Sequence, residues 1–120
     1  MSVEIPVKIF TNDGEDHFLG FDEDKAELTL VFMFVLQVSA PDLKKFPQSS
    51  LEWLFQETAI GETTGFAKLW RGKGLRAISV GDVVLLGETA FACESIGWKT
   101  ISTDQLLSCI IADDTEEGEK

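Results

Sequence analysis

Leu28-Thr-Leu-Val-Phe-Met-Phe-Val-Leu-Gln-Val38 is the most apolar run in the chain. Its even positions, Leu28, Leu30, Phe32, Phe34, Leu36 and Val38, form an unbroken apolar series, and the odd ones are Thr29, Val31, Met33, Val35 and Gln37. β-Branched and aromatic residues dominate, so the run reads as one long strand, buried on both faces near its middle and central in a sheet. As a helix it would rise only about 17 Å, and a bilayer core needs roughly 20 residues. It is a core element rather than a membrane span.

Upstream, Val3, Ile5, Val7 and Ile9 alternate with Glu4, Pro6 and Lys8, a strand pattern in which Pro6, lacking an N–H, points to a sheet edge. Thr11-Asn12-Asp13-Gly14 is a turn. The stretch from Asp13 to Glu27 then carries seven acids against one lysine, an ordered loop held to the body by Phe18, Leu19 and Phe21. Downstream, residues 41–46 read as a short helix ended by Pro47, and Ser49 with Glu52 has capping-box spacing for a helix over 50–58. Residues 66–70 read as a short strand, 83–86 and 89–94 as a hairpin about Gly87-Glu88, and 97–101 as a last strand. Ser102 with Gln105 repeats the capping box and opens a closing helix over 103–111. The fold class is α+β: a single small mixed or antiparallel sheet of about five strands, with two or three short helices packed on it. Residues 1–112 form the expected domain, and 113–120, with five acids among eight residues, an acidic disordered tail.

With 120 residues, 44% of them hydrophobic and 26% charged, the composition is that of a folded globular domain. The net charge of −11, from 21 acids against 10 bases, repels phosphate backbones and anionic membranes, so nucleic acid and membrane are not the expected partners. Such a surface serves solubility, or it engages basic protein surfaces, including those that normally hold DNA. Two cysteines, Cys93 and Cys109, make no disulfide framework, and no signal peptide is evident. A cytoplasmic protein with both thiols buried is expected, as a monomer or homodimer.

No catalytic residues, metal site or cofactor are expected. One histidine and two distant cysteines cannot supply the four ligands of structural zinc. Asp13 to Asp24 does not keep the alternating register of a calcium loop. His17 is the only histidine available as a base and reads as a surface residue. Gly72-Lys73-Gly74 lacks the spacing and the strand-to-helix setting of a phosphate loop. The local exception is basic: Lys68, Arg71, Lys73 and Arg76 fall within nine residues, Trp70 is among them, and no acid lies between Glu62 and Asp82. These bases either pair with the protein's own acids or form, with Trp70, a patch for an anionic partner, a nucleotide-like ligand or nucleic acid.

Leu69-Trp-Arg-Gly-Lys-Gly-Leu-Arg-Ala-Ile-Ser-Val-Gly-Asp-Val-Val84, followed by Ala90-Phe-Ala-Cys93 and Gly97-Trp98, resembles a family of small actinobacterial and actinophage proteins. These carry an Arg-Ser-Leu-Ser-Val-Gly-Asp-Val-Val core, then an aromatic-x-Cys and a Gly-Trp. A similar run occurs in YodL-like proteins of conjugative elements. The match covers about a quarter of the chain and departs at Ala77, where the pattern has serine. The resemblance implies a phage or mobile-element origin with no assigned reaction and transfers no catalytic residues. Together with the acidic surface and the missing catalytic set, it leads to the expectation of a non-enzymatic accessory protein that binds a host protein in the host cytoplasm. Read from the residues alone, the same motif is structural: Gly81-Asp82 turns the chain, and Val83–Leu86 pairs with Phe91–Cys93 in a hairpin.

Overall fold

The computed structural model describes residues 2–59 and 64–114. β1 (Ser2–Asn12) passes through the acidic loop into β2 (Leu28–Ser39). A 3-10 turn at Pro41–Lys45 leads to α1 (Gln48–Glu57) and α2 (Gly65–Gly72). β3 (Val83–Leu86), β4 (Thr89–Cys93) and β5 (Trp98–Ile101) follow, and α3 (Thr103–Cys109) runs into β6 (Ile110–Asp113). Among the described residues the fold is α+β, with three α-helices and one six-stranded sheet in the order β5-β4-β3-β1-β2-β6. β1–β3, β3–β4 and β4–β5 pair antiparallel and β2–β6 pairs parallel, so the sheet is mixed.

β2 is the strand expected, but it is not central. β6 lies on its outer side, and β1 with β3 holds the middle of the sheet. Burial on both faces falls in its first half, residues 28–32, and Met33 and Val35 beyond it are exposed. The ladder with β6 spans only Leu28–Leu30, so β2 has neighbours on both sides only there. Pro6 likewise lies in an interior strand. Its missing donor falls where the ladder with β3 ends: Val7↔Leu86 is the last register pair, and Gly87 N donates to the Pro6 carbonyl at 2.8 Å as the hairpin turns away.

The helices correct three expectations. Residues 66–70 are helical, inside α2: Thr64 Oγ1 accepts from Ala67 N at 3.2 Å as the N-cap, and the buried positions are Ala67 and Trp70, three apart. α1 starts at Gln48 with Pro47 at the cap position and no side-chain cap bond, which places Ser49 inside the first turn, so the Ser49–Glu52 box does not form. α3 does carry its box, with Gln105 N donating to Ser102 Oγ at 3.0 Å and Ser102 N to Gln105 Oε1 at 2.9 Å. It stops at Cys109 rather than Ile111 because the next residues pair with β2, and Asp114 N donates to the Leu30 carbonyl at 2.7 Å. Asp113 and Asp114, expected in the tail, thus belong to the sheet end, and 115–120 lie outside the described residues.

Packing divides the chain into two compact units, 5–36 with 79–120 and 1–4 with 37–78. In the first, Phe10, Leu28, Leu30, Val83, Ala90, Ala92 and Ile101 of the sheet cluster with Leu106 and Cys109 of α3 and Phe21 of the loop. Each large apolar side chain buried this way contributes about 1.5–3 kcal/mol. In the second, Leu51, Leu54, Ala67, Trp70 and Ile78 are buried. There Thr58 Oγ1 accepts from Ile78 N at 3.1 Å, and Thr64 Oγ1 donates to the buried Glu57 carboxylate, which steadies the cap of α2. Among the described residues no helix is long and apolar enough to cross a membrane.

Candidate functional site

The Ser79-Val-Gly-Asp-Val83 segment of the resemblance is a buried corner. Asp82 is fully buried. Its Oδ2 accepts from Ser79 N at 2.9 Å and its Oδ1 from Asn12 N at 2.8 Å. Asn12 Nδ2 donates to the Gly81 carbonyl at 3.0 Å, and Asn12 Oδ1 accepts from Gly14 N at 2.8 Å and Glu27 N at 3.1 Å. One carboxylate and one carboxamide therefore satisfy four backbone N–H groups and join the turn before β3 to both ends of the acidic loop. Gly81 is required twice over. Its φ is +96°, and a Cβ there would stand 2.5 Å from the His17 carbonyl. Within the motif, Gly81 and Asp82 thus have structural roles.

This corner presents the acidic loop. Lys25 N and Ala26 N donate to the Asp22 carbonyl at 2.9 and 2.8 Å, Gln105 Nε2 donates to Glu23 Oε1 at 3.2 Å, and Phe21 is buried beneath. Between residues 16–25 and the pair Lys99 and Gln105 lies a half-open cleft of about 480 Å³. Lys25, the loop's one lysine, donates to Asp16 Oδ2 at 3.3 Å. That bond first, and then the carboxylate's charge, raise its pKa above the ordinary value. Asp22, Glu23 and Asp24 remain exposed.

Of the three residues expected to pin the loop, only Phe21 does so. Phe18 is 62% exposed and Leu19 75%. The chain turns through a 3-10 segment at His17–Leu19, and only the residue after Gly20 is directed into the core. Glu94 latches this segment to the β4–β5 turn: Phe21 N lies 3.5 Å from its Oε2, and a Cβ on Gly20 would stand 3.1 Å from its Oε1. Glu94 N donates to the Gly97 carbonyl at 3.0 Å, closing a turn whose Ile96 is 91% exposed. Sequence reading did not single out Ile96, since an isoleucine beside a glycine turn gives no sign of which way it faces.

Charge follows the division of the chain. Residues 5–36 with 79–120 hold 16 acids against 4 bases, a net of −12, and residues 1–4 with 37–78 hold 5 acids against 6 bases, a net of +1. The entire negative excess belongs to the unit that carries the acidic loop.

The expected basic patch lies in the other unit. Lys68, Lys73 and Arg76 are exposed and Arg71 is partly buried, its guanidinium donating to the Ala59 carbonyl at 3.3 Å. Trp70 departs from the expectation: it is fully buried, and its Nε1 donates to the Arg76 carbonyl at 3.0 Å, so its ring is a core element rather than a stacking platform. His17 is partly buried. Its Nδ1 lies 3.2 Å from the Val80 carbonyl, which can only accept, so that nitrogen carries the proton. Cys93 and Cys109 are buried free thiols, and burial, helped by the charges of Asp82 and Glu94, pushes Cys93 up to about 11. Among the described residues no three His, Cys, Asp or Glu side chains are grouped to hold a metal ion. No family model, curated protein or solved structure matches the chain.

Proposed function

We propose that this chain is a non-enzymatic accessory protein of a phage or mobile element that binds a basic surface on a host protein. It acts there as an acidic inhibitor on ground that nucleic acid would otherwise occupy. The observation that carries the reading is the segregation of charge, −12 on one unit against +1 on the other. Charge spread evenly keeps a protein soluble, whereas charge gathered on one unit makes a directed field that steers a positive partner and repels phosphate. The likeness of residues 69–98 to actinophage and conjugative-element proteins supports the biological setting.

The test is affinity capture by the full chain from a nuclease-treated actinobacterial lysate across a salt series. The reading expects a discrete basic partner whose recovery falls steeply between about 0.05 M and about 0.5 M salt. Enrichment of no partner, or of one indifferent to salt, overturns it.

A further inference from the structure

Acid alone does not define a contact, but the acidic loop also carries apolar side chains that the fold leaves in water. Singly exposed hydrophobic residues are ordinary on a protein surface. Phe18 and Leu19 are consecutive, and Glu94, two residues before the exposed Ile96, lies 3.5 Å from Phe21 N, two residues after Leu19. The base of the loop is fixed by buried hydrogen bonds through Asn12 and Asp82, so this exposure belongs to a held segment. Asp22, Glu23 and Asp24 flank it on the following turn, and Leu19 lines the cleft with them.

We propose that Phe18, Leu19 and Ile96 are the apolar anchor of a docking surface, and that its occupant is a protein surface with an apolar pocket rimmed by lysine and arginine. The assignment rests on the function proposed above and gives that contact its residues. Interfaces gain most of their strength from a few side chains buried at the centre of a polar rim, and the rim charges set partner choice and association rate. The carboxylates of Asp22, Glu23 and Asp24 demand the opposite sign on the partner, which rules against an acidic or phosphate-bearing occupant.

The experiment titrates the isotope-labelled full chain with a helical peptide bearing leucines along one face and lysines along its borders, and with its leucine–glutamate counterpart. The lysine peptide should shift the side-chain signals of Phe18, Leu19 and Ile96. The triple variant F18S/L19S/I96S should bind about 30-fold or more weakly, with an unchanged melting midpoint and the salt dependence retained. D22N/E23Q/D24N should instead flatten the salt dependence. If the triple variant binds as the parent does, with its salt dependence intact, the apolar anchor is overturned and the acidic reading survives. If the glutamate peptide binds equally well, both fall. If the same signals shift with the chain's own concentration alone, a second copy occupies the surface and the proposed occupant is wrong.

Discussion

The 13–27 loop and the 64–78 segment are both charge-biased, opposite in sign and each interleaved with aromatics, yet they place those aromatics in opposite ways. Around Trp70 the bases lie outside and the indole is buried, with Lys68 and Lys73 exposed on either side of it. In the acidic loop Phe18 and Leu19 face water and only Phe21 is buried. The difference lies in the backbone. α2 turns Ala67 and Trp70 to one face, whereas the 3-10 turn at His17–Leu19 is too short to present an apolar stripe. A charged, aromatic-rich stretch is a surface site only where the fold leaves its aromatics outside.

The largest test of this contrast is Trp70→Ala, which should destabilise the protein by about 3–5 kcal/mol in urea unfolding, against less than about 0.5 kcal/mol for Phe18→Ser. Equal effects would abolish the distinction. Asp82→Asn sharpens it at the loop's base. The isosteric amide can accept with only one of the two atoms that now accept from Ser79 N and Asn12 N, so one buried donor loses its partner at a cost of about 2–3 kcal/mol. Loss of stability together with broadened loop signals is the expected result. Ser102→Ala removes the cap of α3 and should cost about 1 kcal/mol by the same unfolding measurement.

A pH series separates a further contribution. Cys93, next to the Glu94 latch, titrates near 11 in the folded protein against an ordinary 9.0, so the folded chain holds this proton the more tightly. Its stabilising contribution is complete below pH 9.0 and is lost as pH rises through about 11. Cys93→Ala should therefore show a shallower fall in melting midpoint across that window. Lys25→Ala is expected to do least. Its pairing with Asp16 is solvent-exposed, and the unfolding midpoint should stay indistinguishable from the parent's.

What could be read from the sequence was local. The Ser102–Gln105 box, the Gly87-Glu88 hairpin and the start of β2 all rest on residues a few positions apart, and each stands where its pattern placed it. Residues 66–70 misled because five residues cannot separate a period of two from one of 3.6. The deciding signal was the Thr64 cap, which lies upstream of those five residues. β6 and the Asn12–Asp82 corner depend on partners far along the chain, and no local pattern names them. The candidate surface was half legible: its charge is composition, but the outward turn of Phe18, Leu19 and Ile96 is set by the fold.

The pairing of β6 with β2 also bears on how the protein reaches its folded state. Leu28 and Ile110, 82 positions apart, are register partners, so the outer rim of the most apolar strand is covered only by a contact of very long range. Closing a loop of that length is entropically costly and slow compared with zipping up the ribbon from β3 to β5. A chain that has assembled the ribbon but not yet recruited residues 110–113 displays an open, aggregation-prone strand. Truncation or mutation at that short terminal strand would be felt first as loss of soluble yield.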